Sequence, residues 1–164
     1  MTVQMTRTSP TTLTFTRSFA APPARVWAAH IEPALIRQWM VGNAGMTMPV
    51  CETDPRPGGQ LRFEWVNAAT GFGFYVTGHY IIIDAPHRSI HTEIMHLPNP
   101  TPEITVETRF DADGTGTLLT MTMSAASAKD MEAVMASGIT ETDHLDASYD
   151  RLENAVSTAA QSFS

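Results

Sequence analysis

The six histidines are the side chains best suited to bind a metal ion or to transfer protons near neutral pH. Two of them, His87 and His91, occur in the stretch HRSIH, and His96 follows closely. On a strand, His87 and His91 share one face while His96 takes the other, and His87 falls in a predicted turn. This spacing disfavours a shared metal ion, so we expect neither a metal site nor a cofactor.

The single cysteine, Cys51, is the next candidate for chemistry. One cysteine excludes an internal disulfide and a Cys-x-x-Cys motif, and the spacing of the histidines indicates no activating base for a thiol nucleophile. The chain also lacks the Gly-x-Ser-x-Gly, His-Glu-x-x-His and Gly-x-Gly-x-x-Gly patterns. We therefore identify no catalytic residue. A lone cysteine is typical of a reducing compartment, which we expect to be the cytoplasm.

A glycine pair in the stretch ETDPRPGGQLRFEW could belong to an anion-binding loop or to a turn before a strand. An anion cradle places glycine amides at the start of a helix. Here Gly58 and Gly59 lead into alternating apolar and polar residues, which is the period of a strand. We therefore interpret the motif as a turn, with a local Asp54–Arg56 ion pair of modest value.

Methionine is unusually frequent, with ten residues. Met121 and Met123 share one face of the last predicted strand, while Met131 and Met135 lie on the helix expected to cover it. Flexible thioether side chains recur at permissive binding surfaces, and they also fill ordinary cores. The composition leaves pocket lining and core packing equally open.

Length, composition and charge exclude several classes of protein. A chain of 164 residues with 43% hydrophobic and 16% charged residues can bury a substantial core as one domain. The net charge of −7 and the single lysine, Lys129, disfavour a nucleic-acid partner, and no apolar run is long enough to span a membrane. We predict a flexible, Thr-rich leader over residues 1–12 and a single domain over residues 13–161.

Hydrophobic periodicity predicts the elements that position these side chains. Alternation over residues 13–19 predicts a strand, and helical spacing after Pro22 and again after Pro33 predicts two short helices. Between residues 46 and 123, a period of two interrupted by turn residues predicts about six antiparallel strands. This segment should therefore form a meander.

The last segment, residues 127–161, returns to helical spacing and predicts a long C-terminal helix, with Gly138 as a point where it could kink or break. The predicted fold class is therefore α+β, with a curved antiparallel sheet of about seven strands, two short helices after the first strand and a long helix over the sheet. A gap between that helix and the sheet would be a cavity.

Five segments, taken in order, carry a resemblance to a known family. They are the two-helix segment PPARVWAAHIEPALIRQWM, the strand start DPRPGGQLRFEW, the strand GHYIIIDAPHRSIHTE, the strand GTGTLLTMTM and the helix ending SYDRLENAV. Together they resemble the START-like (SRPBCC) helix-grip superfamily, and within it the homologues of the activator of heat-shock protein 90 ATPase. The resemblance covers residue 13 to about residue 160 and implies a helix-grip fold that encloses a cavity.

One position departs from the family pattern. Members often carry Gly-Trp on the final helix, whereas alignment on residues 150–152 places His144 and Leu145 there. Loss of the indole could enlarge the pocket or admit a polar group. The resemblance thus makes His144 either a proton donor inside the pocket or a residue at its rim, and we favour the rim.

The predicted inward faces and the resemblance together indicate the residues that line the cavity. Burial favours Leu61, Phe63 and Trp65 over Arg62 and Glu64 as the inward residues of their strand. The predicted ligand-binding residues are Trp39, Met46, Met48, Phe63, Trp65, Tyr80, Met95, Met121, Met123, Met135, Ile139 and His144.

The leading interpretation is a binding domain for a small hydrophobic or amphipathic molecule rather than an enzyme. The alternative is a cyclase- or hydrolase-type enzyme that uses the same pocket, with His144 or Tyr80 as acid or base, and it requires two converging polar groups inside the cavity. A co-chaperone-like interaction domain is a weaker third interpretation, so we do not expect a chaperone partner. We expect no membrane partner, and a homodimer remains open.

Overall fold

A computed structural model describes residues 2–42 and 44–161 of the chain. The strands are β1 (Gln4–Ser9), β2 (Thr12–Phe19), β3 (Met46–Thr53), β4 (Gln60–Asn67), β5 (Gly73–Asp84), β6 (Arg88–Leu97), β7 (Asn99–Pro100), β8 (Ile104–Asp113) and β9 (Gly116–Ala125). The helices are α1 (Pro23–Ile31), α2 (Pro33–Met40), α3 (Ala128–Ala136) and α4 (Thr142–Gln161). This α+β order confirms the predicted helix-grip architecture.

The strands form an antiparallel sheet in the order β1-β2-β9-β8-β6-β5-β4-β3, with β7 paired to β6. Seven of them correspond to the predicted strands, and those that follow α2 pair in chain order as a meander, namely β3, β4, β5, β6, β8 and β9. The pairing register shifts between Thr47 and Val50 in β3 and between Tyr80 and Ile82 in β5. Such irregularities bend strands and increase their twist, as a curved sheet requires.

The predicted flexible leader is wrong for the part that the structure describes. Strand β1 pairs with β2, with Met5 opposite Phe15. Val3 is buried, and its backbone N–H donates to the carboxylate of Asp146 on α4. Residues 4–8 are all exposed and mostly polar. Because they lack apolar alternation, the sequence did not predict this strand. The sheet therefore begins earlier than residue 13.

The glycine motif forms the predicted turn in front of β4. The backbone N–H of Gly59 donates to the carbonyl of Arg56 at 2.8 Å, and Arg56 Nε lies 2.8 Å from Asp54 Oδ2. A Cβ atom at Gly59 would lie 1.9 Å from the Asp54 carbonyl oxygen, so a side chain cannot fit there. Gly59 also accepts from the Tyr80 N–H at 2.8 Å, which fixes the turn to β5.

The helical segment at the C-terminus is divided into two helices. Ser127 caps α3 by accepting from the Asp130 N–H at 3.1 Å. The chain then leaves the helix at Gly138, whose φ of 88° lies in the left-handed region, and α4 begins at Thr142. None of the described helices is long and apolar enough to cross a membrane.

The apolar side chains form two clusters instead of one continuous core. The first joins β2, β8 and β9 to α1, α3 and α4, with Phe15, Phe110 and Leu152 at its centre. The second joins β3, β4 and β5 to Ile36 of α2. Leu61, Phe63 and Trp65 face inward as predicted, with exposures of 3%, 7% and 9%. The space between the two clusters remains open.

Candidate functional site

A cavity of about 580 Å³ lies between the two clusters. Methionine and aromatic side chains contribute much of its wall, and polar groups interrupt it at a few places. The lining residues are His30, Trp39, Met40, Val41, Gly42, Met46, Phe63, Trp65, Asn67, Thr70, Phe72, Phe74, Val76, His91, Glu93, Met95, Leu97, Val106, Thr108, Met121, Met123, Ser137, Gly138, Ile139, His144, Leu145, Ala147, Ser148, Tyr149 and Arg151. This volume falls within the roughly 300–1,000 Å³ of small-molecule sites.

Nine of the twelve predicted ligand-binding residues line this cavity. They are Trp39, Met46, Phe63, Trp65, Met95, Met121, Met123, Ile139 and His144. The structure thus brings them together from α2, β3, β4, β6, β9, the loop after α3 and the start of α4. Their contact with a ligand stays a prediction.

The other three predicted residues lie outside the cavity lining. Met48 and Tyr80 are buried in the second cluster, with exposures of 6% and 3%. Tyr80 shares the inward face of β5 with Phe74 and Val76, but it lies at the end next to the glycine turn, where the cluster is closely packed. Met135 packs against the first cluster from α3. For Met48 and Tyr80, alternation predicted the inward face of the strand but not the position of the cavity along it.

Stacked aromatic rings form a firm part of the wall. Trp65 lies parallel to Phe74 with ring centroids 4.9 Å apart, and its Nε1–H donates to the Met40 carbonyl at 2.7 Å. Trp39 stacks on Tyr149 at 5.9 Å. Since the backbone satisfies the Trp65 N–H, its ring can meet an apolar ligand without leaving a polar atom unpaired.

Exposed lining residues mark the mouth of the cavity. Phe72, at the turn between β4 and β5, is 55% exposed although its ring borders the cavity. His144, in the first turn of α4, is also exposed, and Ser137 and Gly138 lie nearby in the chain. The structure therefore places His144 at the rim, the alternative that the sequence favoured.

Sequence reasoning missed a polar group of side chains deeper in the cavity. His91 and Glu93 lie two residues apart on β6, and His91 Nε2 is 2.8 Å from Glu93 Oε1. Thr108 on β8 and His30 on α1 border the same space. The sequence did contain a signal for this group. Strand alternation places His91 and Glu93 on the same face as Met95, which was predicted to line the cavity.

His30 is held as a neutral imidazole. Its pKa is lowered to about 4, mainly by burial. The hydrogen bond to the Val26 carbonyl raises the pKa in part, and the charge of nearby His91 lowers it further. His30 Nδ1 lies 2.8 Å from that carbonyl oxygen, which can only accept, so Nδ1 carries the proton. The other nitrogen, Nε2, is therefore a hydrogen-bond acceptor.

Tyr149 supplies a hydroxyl to the same cavity from α4. Burial raises the pKa of its phenol, and the nearby charges of Arg17 and Glu93 lower and raise it respectively. The hydroxyl lies 3.9 Å from the sulfur of Met121, to which it donates weakly. The Tyr149 hydroxyl therefore remains a neutral hydrogen-bond donor, whereas His30 Nε2 and the Glu93 carboxylate are hydrogen-bond acceptors.

Of the residues considered first for chemistry, Cys51 and His96 lie outside the cavity lining. The Cys51 thiol is buried and donates to the Pro33 carbonyl at 3.7 Å, and burial raises its pKa while the charge of Arg37 opposes this. His96 stacks on Tyr75 at 4.2 Å, on the opposite face of β6 from His91. Within residues 2–42 and 44–161, no three His, Cys, Asp or Glu side chains are arranged to hold a metal ion.

Comparison with known proteins assigns the chain to a family. The family model described as activator of Hsp90 ATPase homolog 1-like protein matches residues 20–156. The chain belongs to this family. A solved structure of a Rhodobacter sphaeroides protein is 30% identical to this chain, with a TM-score of 0.87 over 96% of this chain and 99% of that chain.

More distant solved structures share the fold of this chain. A Mycobacterium smegmatis protein is 21% identical, with a TM-score of 0.81 over 97% of this chain and 99% of that chain. A Nitrosomonas europaea protein, also 21% identical, has a TM-score of 0.79 over 94% and 99% of the two chains. No curated protein matches the sequence.

Proposed function

We propose that the protein binds a small hydrophobic or amphipathic molecule in the cavity. The observation that carries this proposal is a cavity of about 580 Å³ between two apolar clusters, with Trp39, Phe63, Trp65 and several methionines in its wall. Burial of apolar ligand surface contributes roughly 25 cal/mol per Å². Membership of a helix-grip family supports the same conclusion, since this fold commonly binds hydrophobic ligands.

Dye and ligand titrations test the proposal. The fluorescent dye ANS and a panel of lipids and aromatic polyketides should bind the native protein and raise its melting temperature, because ligands that bind only the folded state stabilise it. Native mass spectrometry of protein purified from its own host would identify a retained molecule. If none of these compounds binds or shifts the melting temperature, the proposal loses its support.

A matched pair of substitutions localises the binding. Ala147→Trp on α4 should fill the cavity and abolish dye binding while the protein remains folded. Ala136→Trp adds the same side chain at an exposed position of α3 outside the cavity lining, and it should leave binding unchanged. Equal dye binding by the two variants would place the dye elsewhere on the protein.

A second candidate function is cyclase- or hydrolase-type catalysis in the same cavity. The observation that favours it is the His91–Glu93 hydrogen bond, since it brings two converging polar groups to the cavity wall. His91 would act as the base and Glu93 would hold its imidazole in position. Product formation from naphthyl esters or polyketide chains, followed by chromatography, tests this function. Turnover that persists unchanged in His91→Gln would argue against it.

A further inference from the structure

The polar groups deep in the cavity have more hydrogen-bond acceptors than donors. Glu93 Oε1 accepts from His91 Nε2, and none of the described residues donates to Glu93 Oε2. His30 uses its protonated Nδ1 on the Val26 carbonyl, and its Nε2 likewise receives no hydrogen bond from the described residues. Two acceptors are thus left for whatever occupies the cavity.

The hydrogen-bond donors of Arg151 and Tyr149 do not use these acceptors. Arg151 borders the cavity, but its guanidinium donates to the Trp39 carbonyl at 3.0 Å and to Ser148 Oγ at 3.1 Å. Tyr149 directs its hydroxyl to the sulfur of Met121. A ligand that only accepts hydrogen bonds would leave both acceptors unpaired, and unpaired buried polar groups are costly.

The surroundings of His30 disfavour a cation. Burial is the main cause of the lowered pKa of His30, so the space next to this ring resists a positive charge. An ammonium group would pay the same desolvation cost there. A neutral hydroxyl supplies the missing proton without that cost, and the neighbouring rings of Trp39 and Phe63 suit an apolar body.

We propose that the cavity selects a neutral apolar molecule that carries a hydroxyl group, which donates to Glu93 or His30. His91 positions the Glu93 carboxylate through the hydrogen bond at 2.8 Å. The apolar remainder of the molecule packs against the methionine and aromatic wall. This inference rests on the proposed function, because it names the chemical class of ligand for the same cavity.

The test compares 2-naphthol with 2-methylnaphthalene, which has nearly the same shape but no donor. Isothermal titration or displacement of ANS should show that 2-naphthol binds roughly tenfold more tightly, as expected for a hydrogen bond to a charged acceptor. The ammonium compound 2-(aminomethyl)naphthalene should bind more weakly than 2-naphthol. Tighter binding of the ammonium compound would overturn the hydroxyl assignment in favour of a cationic ligand.

Two substitutions test the acceptors separately. Glu93→Gln keeps the shape of the side chain, and His30→Phe keeps a ring against Trp39 and Phe110. The substitution that removes the acceptor used by the hydroxyl should reduce the preference for 2-naphthol, and each substitution should change the affinity for 2-methylnaphthalene by less than about twofold. The apolar control Met95→Leu should shift both affinities alike. Melting temperatures verify that each variant is folded.

The outcomes separate this inference from the proposed function. Equal binding of 2-naphthol and 2-methylnaphthalene to the unmodified protein would overturn the hydroxyl preference and leave the apolar binding function intact. Equal losses for both probes in Glu93→Gln and in His30→Phe would also overturn it. Failure of every probe to bind would overturn both proposals.

Discussion

The rings of His30, near the end of α1, and Trp39, near the end of α2, pack against each other with centroids 4.9 Å apart. Trp39 Nε1 donates to the Ala29 carbonyl and His30 Nδ1 donates to the Val26 carbonyl, both at 2.8 Å. Each ring therefore has one N–H satisfied by the backbone of α1. The pair forms a fixed, uncharged part of the cavity wall.

Because His30 is neutral when folded, it should make stability depend on pH. Burial lowers its pKa from 6.5 to about 4, so between these values the unfolded chain binds a proton that the folded chain does not. The stabilisation is fully present above about pH 6.5 and is lost as the pH falls towards 4, by about 3 kcal/mol at most. Urea unfolding across this pH range measures the loss.

The variant His30→Phe isolates this effect from the titration of carboxylates in the same range. Its free energy of unfolding should fall less steeply than that of the unmodified protein as the pH is lowered. His87→Gln, which removes an exposed histidine in a turn, should keep the original dependence. Parallel curves for the unmodified protein and His30→Phe would contradict a neutral buried His30.

Trp65→Phe should destabilise the protein by about 1–2 kcal/mol, because it removes the hydrogen bond to the Met40 carbonyl at the end of α2. Chemical denaturation measures the change. Trp27→Phe is the control: Trp27 is partly buried against Phe110, and none of the described groups accepts from its indole nitrogen. A loss for Trp27→Phe as large as that for Trp65→Phe would show that ring area, not the hydrogen bond, is responsible.

Arg56→Ala should lower stability by less than about 1 kcal/mol and leave dye binding intact. The Arg56–Asp54 ion pair is solvent-exposed on both sides, and exposed pairs contribute little. Thermal unfolding and an ANS titration test the two parts of this prediction. A large loss of affinity at an unchanged melting temperature would restore the anion-binding interpretation of the glycine motif.

Gly138→Ala should cost about 1–2 kcal/mol, because φ at this position is 88° and side chains with a Cβ are strained there. The nearest atom to an added Cβ is 4.0 Å away, so crowding does not contribute. Gly138→Asn should cost less, since asparagine tolerates the left-handed region better. Equal losses by thermal denaturation would point to a cause other than backbone conformation.

The fold was largely predictable because most elements have clear periodicity. Strand β4 alternates cleanly, so the inward direction of Leu61, Phe63 and Trp65 followed from the sequence and was confirmed. Strand β7, which pairs with β6, has two residues and is too short to produce a periodic signal. Gly138 was recognised as a possible break, but only the backbone conformation decided between a kink and two helices.

The polar side of the cavity was harder to predict because β6 is ambiguous. One face carries His91, Glu93 and Met95, and the other carries Ile90, Thr92 and Ile94, so hydrophobicity favours the wrong face. His30 was assigned to a helix without a role, since only tertiary packing places it opposite β6. Periodicity defines faces, but the cavity depends on where two separate clusters fail to meet.

Strand β1 has a consequence for how the chain can be shortened. A chain that begins at Leu13 would lose β1 and leave β2 as the sheet edge, with newly unpaired backbone groups along residues 13–16. β1 is a short, exposed edge that carries Arg7, and natural edges of this kind resist pairing with other molecules. The truncated protein should therefore aggregate during refolding, and light scattering would measure this. The segment that resembled a leader would then be one that protects the sheet against self-association.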